Sequence, residues 1–131
     1  MPFDGKEFGQ RCVMIDKLDR VIDLLATEDR WCKRQLRTND GRRCLMGALI
    51  DVRAESMLAH PILAAARELT GRSYGRVEQF NDHSKTDHTV IAAALKRARE
   101  NLLLGKVAPV STITVAHRVR SFYAALARLG A

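Results

Sequence analysis

Apolar residues at Met14, Leu18, Val21 and Leu25 recur at intervals of four, three and four, with Ile15 and Ile22 widening the stripe. Asp16, Lys17, Asp19, Arg20 and Asp23 fall between them. A helix turns once in 3.6 residues, so this spacing predicts an amphipathic helix over residues 10–27. The period then lapses. Thr27 to Gly41 shows none, and Asn39-Asp40-Gly41 closes the stretch with turn chemistry. Residues 44–55, CLMGALIDVRAE, are helical in composition and apolar on most sides, which places them near the domain centre. Gly47 inside that run costs roughly 1 kcal/mol against Ala, an expense that close approach of another backbone would explain.

His60-Pro61 is expected to break the chain and start the next helix, PILAAARELT, with Pro61 in its first turn and Gly71 as its stop. Residues 71–85 form a polar loop. Thr86 is the expected N-cap, with Asp87 in the first turn, of a helix running to Gly105. After a linker containing Pro109, the residues Val115, Val119, Phe122, Leu126 and Leu129 repeat by four, three, four and three, up to Gly130. Residues 110–115, VSTITV, are the one stretch that could instead be extended. The expected fold is all-α: a compact bundle of about five helices in one domain over residues 1–131, with 106–131 as a C-terminal helical extension.

Composition supports this picture. A chain of 131 residues is one domain by size, and 47% hydrophobic content excludes general disorder. Aromatic residues are only 5%, and Ala and Leu are abundant, which favours packed helices over a β-sandwich. The first residues, MPFDGKEFGQ, lack the apolar core of a signal peptide, and no apolar run approaches the roughly 18 residues of a membrane span. Cys12, Cys32 and Cys44 are an odd set without a CxxC, so they read as reduced thiols in the cytoplasm.

The net charge of +7 is unevenly distributed. Residues 1–29 carry a net of −3, residues 30–43 of +5, residues 44–94 of −1 and residues 95–131 of +6. Two basic blocks therefore supply the excess, which directs attention to polyanions.

Trp31, Asp40-Gly41, Cys44 followed by Gly47-Ala48-Leu49, then Phe80-Asn81-Asp82 and Thr86 before an Ala-rich helix stand in an order that resembles an uncharacterised bacterial family of unknown function. The resemblance covers roughly residues 13–100 and leaves the basic C-terminal helix outside. It implies a small helical domain and no particular reaction. Members of that family often carry an acid three residues after the Thr, completing a capping box. Here that position is Thr89, which implies a weaker cap.

Three constellations could carry chemistry. Cys44, at a helix start behind Arg42 and Arg43, could be a thiolate nucleophile with a His and Asn81 or Asp82 as partners, His83 being the nearest in sequence to that pair. The competing reading is a small buried hydrophobe filling space beside Gly47 and Ala48. Asn81 and Asp82 could hold a ligand, but such side chains more often bond backbone groups, with Phe80 plugging the core and Asp82 tying down a helix end. Cys32, Cys44, His83 and His88 are only loosely finger-like and lack paired ligands, so neither a metal nor any other cofactor is expected.

The strongest functional signal is basic. Arg30, Trp31, Lys33, Arg34, Arg37, Arg42 and Arg43 interleave an aromatic with cations, and Arg118 and Arg120 add to them from the last helix. No recognition-helix signature accompanies them. The sequence thus reads as a non-enzymatic binding or accessory module for nucleic acid, another polyanion or an acidic protein. A small cysteine-dependent hydrolase is the alternative. No membrane partner is expected, and the apolar stripe of the C-terminal helix suits a homodimer.

Overall fold

The structure, a computed structural model, describes residues 5–106. Five helices make up this part of the chain: α1 (Gly5–Leu24), α2 (Leu45–Asp51), α3 (Glu55–Thr70), α4 (Val77–Asp82) and α5 (His88–Leu103). A single 3-10 turn, Glu28–Arg30, follows α1, and no strand occurs among the described residues. The expected C-terminal helix, with its apolar stripe, the VSTITV stretch, His117, Arg118, Arg120 and the proposed dimer contact, lies outside the described residues.

The amphipathic stripe of α1 is the buried one: Met14, Leu18, Val21 and Leu25 all enter the core. They meet Leu58, Ile62, Ala65 and Ala66 of α3 and Ile91, Ala94, Leu95, Ala98 and Leu102 of α5 in one cluster. Ala65 and Ala66 of α3 and Ala94 and Ala98 of α5 are among these core positions, and small side chains let helices approach closely. Helices α1 and α5 run antiparallel. The carbonyl of Leu25 accepts from His88 Nε2 at 2.7 Å, Asp19 pairs with Arg99 at 2.7 Å, and the Arg11 guanidinium lies beside Gly105.

Three expectations are corrected. The chain does not break at His60-Pro61: α3 begins at Glu55 and Pro61 sits inside it. The break comes earlier, at Arg53, whose φ of 55° is left-handed and turns the chain between α2 and α3. Pro61 removes one helical hydrogen bond, but its ring is buried in the same apolar face as Leu58 and Ile62, and that packing offsets the loss.

The stretch 71–85 is not all loop, because α4 lies within it. Val77, Phe80 and Asn81 are buried there at helical spacing. The cap of α5 is Asp87 rather than Thr86. Asp87 Oδ1 accepts from Val90 N at 3.0 Å, whereas Thr86 is buried and its hydroxyl has no partner among the described residues. A carboxylate at this position satisfies an orphan N–H and favours the helix dipole as well, so it outcompetes the neighbouring hydroxyl. The stop at Gly71 is as expected, with φ of 74°.

Candidate functional site

Residues 31–44, which include most of the aperiodic stretch, are folded back on themselves and held at several points. Arg43 N donates to Arg30 O at 2.9 Å and Cys32 N to Arg43 O at 3.0 Å, pairing the two ends side by side. Nearer the tip, Thr38 N donates to Arg42 O at 2.8 Å, and Arg42 N returns a bond to the Thr38 hydroxyl at 2.9 Å. Gly41, with φ of 90°, makes the turn that Asn39-Asp40-Gly41 predicts.

Asn81 locks this loop to the bundle. Its Oδ1 accepts from the Trp31 indole at 2.7 Å and from Leu45 N, the first residue of α2, at 3.0 Å. Its Nδ2 donates to Cys32 O at 3.1 Å and to Asp82 Oδ1 at 2.9 Å. Asp82 Oδ1 also accepts from Arg34 N at 2.9 Å, where the chain takes a left-handed φ of 67°. The helix end is therefore tied by Asn81, and Asp82 holds the loop instead. Asn81 is fully buried, and a buried group left unpaired costs about 1–3 kcal/mol, so this set of bonds fixes one loop shape.

The side chains singled out in the sequence take different positions. Trp31 is half-buried, with its N–H spent on Asn81, and Lys33 lies 5.7 Å over its ring while donating to His83 O at 2.8 Å. Arg37 and Arg43 both grip Asp51, and Arg42 pairs with Asp40 at 3.2 Å. Burial works to raise the Asp51 pKa, but the bonds from Arg37 and Arg43 outweigh it and hold the carboxyl below the usual range. Arg34 is exposed.

Arg30 and Arg43 also line an open cavity of about 510 Å³ with Arg20, Asp23 and Leu24 of α1 and Asp51 and Val52 at the end of α2. Arg20 was not legible as a site residue. It stands in the acidic N-terminal block, and only the fold carries the end of α1 to the basic loop.

Cys44 caps α2: its sulfur accepts from Gly47 N at 3.3 Å. It is 5% exposed, and burial pushes its thiol pKa up, against what a nucleophile at neutral pH requires. Arg34, Gln35, Leu36, Glu78 and Asp82 share a small cleft with it. Cys32, also buried, donates to Gln35 O at 3.3 Å, and burial raises its pKa too. His83 Nδ1 accepts from Lys85 N, and its ring packs edge-on against Tyr74. His88 is committed to Leu25 O. Among the described residues, no group of three or more His, Cys, Asp or Glu side chains is arranged to hold a metal ion, and no helix is long and apolar enough to cross a membrane.

Fold and site together define a small helical domain that displays a locked arginine-rich loop. The chain belongs to the family of unknown function DUF6197, which matches residues 13–101. No curated protein and no solved structure matches it.

Proposed function

We propose that this protein is a non-enzymatic binding module whose basic loop, residues 30–43, takes a polyanion. The observation that supports the reading most directly is the convergence of Arg30 and Arg43 with Arg20 on one open cavity, while Arg34 and Arg42 of the same loop are exposed. A loop fixed by Asn81 loses little conformational freedom on binding, so its arginines are presented at low entropic cost. Arg118 and Arg120 belong to the same reading, as does pairing of two copies through residues 106–131.

Binding of a fluorescently labelled single-stranded RNA tests this. Neutralising three or four phosphates predicts a plot of log affinity against log salt with a slope of about −2 to −3. Charge reversal at Arg34 and Arg42 together is expected to weaken binding about tenfold or more. Absence of binding at about 50 mM salt contradicts the proposal, since such binding is strongest there. If polyglutamate binds as tightly as RNA, the partner is an acidic protein rather than a nucleic acid.

A further inference from the structure

Building on the reading that two copies pair through residues 106–131, we infer that the end of the bundle opposite the basic loop is the surface on which the second copy docks, with Val13, Leu69, Leu103 and Leu104 as its apolar anchors. All four are exposed, at 44, 47, 53 and 68%. Asp19 of α1 pairs with Arg99 of the antiparallel α5, and counting equally from that pair sets Val13 level with Gly105. The Arg11 guanidinium beside Gly105 agrees with this register. Glu68 of α3 accepts from Arg97 at 2.7 Å and from Asn101 Nδ2 at 3.2 Å, so Leu69 next to it stands at the same end. Helix α5 stops there. Gly105 takes a φ of 71° and Lys106 N donates to Asn101 O at 2.9 Å, so Leu103 and Leu104 edge the bundle where the chain passes to residues 107–131.

The occupant follows from what those last residues contain. Val115, Val119, Phe122, Leu126 and Leu129 repeat by four, three, four and three, the period of a seam between two helices. That seam is narrower than the stripe by which a helix lies on a globular core, and it matches a second copy of itself. It covers only two heptads, residues 115–129, fewer than the roughly three or four that mark a self-sufficient coiled coil. Further apolar surface has to be buried with it, and the four exposed side chains lie at the end where the seam leaves the bundle. Arg118 and Arg120 fall between the seam positions. The basic loop begins beyond Leu24, about 20 Å along α1 from Arg11, so two copies meeting at this end leave both loops free.

Sedimentation equilibrium of the full chain tests this, with affinity for labelled RNA, in a strand too short to reach two loops, measured alongside. The parent should be a dimer. Leu69→Gln combined with Leu104→Gln should raise the dimer dissociation constant at least about tenfold, and so should Phe122→Gln. Leu36→Gln, equally exposed but on the basic loop, should leave it unchanged. Leu69 and Leu104 lie outside the buried core, so their variant should keep the parent's circular dichroism. RNA affinity per chain should be the same in the parent and in the dissociated variants. A dimer that Phe122→Gln weakens but the Leu69 and Leu104 changes do not would overturn the assignment of this end and leave the pairing standing. A monomeric parent would overturn both, and a lowered urea midpoint of Phe122→Gln would then show that the segment covers its own chain. A dimer that responds as expected but binds no RNA would uphold the docking surface and end the polyanion reading alone.

Discussion

The carbonyl oxygen of Leu36 occupies the space where Gly47 would carry a side chain. A Cβ built on Gly47 would collide with that oxygen, and it would lie 2.9 Å from the Leu36 carbonyl carbon and 3.3 Å from its Cα. The obstacle is backbone on both sides, and Leu36 O also accepts from Cys44 N, so neither partner can swing away. Gly47→Ala should therefore destabilise by about 2–3 kcal/mol although alanine is the better helix former by about 1 kcal/mol. Urea denaturation checks it, and an alanine variant as stable as the parent would contradict the close approach.

Asn81 satisfies an indole N–H, a backbone N–H and a backbone carbonyl at once. Asn81→Ala leaves all three short of a partner in a buried setting and should cost about 3 kcal/mol or more. Trp31 is the sole tryptophan, so its emission reports the loop directly. The variant should show red-shifted emission under native conditions, as the indole loses its partner and gains water.

The three thiols should separate cleanly by accessibility. Cys12 is exposed, whereas Cys32 and Cys44 are buried with their pKa values raised by that burial. Iodoacetamide at neutral pH should modify one thiol quickly, and peptide mapping should place it at Cys12. A raised pKa keeps the buried thiols protonated in the folded chain while the unfolded chain ionises. Stability is therefore expected to fall as pH rises above the ordinary thiol value of 9.0. Rapid alkylation of Cys44 would revive the nucleophile.

The carboxyl of Asp51 is held below its ordinary value of 3.8 against the pull of burial, by Arg37 and Arg43. Glu68 is lowered by its bonds from Arg97 and Asn101. A depressed carboxylate contributes stability that is present above its unfolded pKa and lost as pH falls through the folded one. Both groups should thus contribute to acid unfolding below about pH 4. Asp51→Asn should make that acid limb shallower, measured as thermal midpoint against pH, and should loosen the loop around Arg43.

Periodicity was a sound guide where one face of a helix is buried. The stripe of α1 and the Ala-rich helix α5 were legible because every third or fourth residue enters the core. Gly47 was legible as a close approach because a glycine inside an apolar helix otherwise has no reason to be there. The partner, Leu36, was not, since nothing in a stretch without period says where its carbonyls go. Helix α4 was obscured by its polar flanks, although Val77, Phe80 and Asn81 already had helical spacing. Pro61 misled because a proline signals a helix start only when no apolar face runs through it, and here Leu58, Ile62 and Ala65 do. The candidate site was half visible: the basic loop is a local feature of the sequence, but Arg20 joins it only through the fold.

The side-chain Nε–H resonances of the arginines offer the most direct measurement of how the loop works. Titration with a single-stranded RNA should shift the signals of Arg20, Arg30 and Arg43 together, because they line one cavity. Those of Arg97 and Arg99, paired with Glu68 and Asp19 on the other helices, should stay in place. Shifts spread evenly over all of these arginines, or confined to Arg97 and Arg99, would contradict the assignment of binding to the locked basic loop.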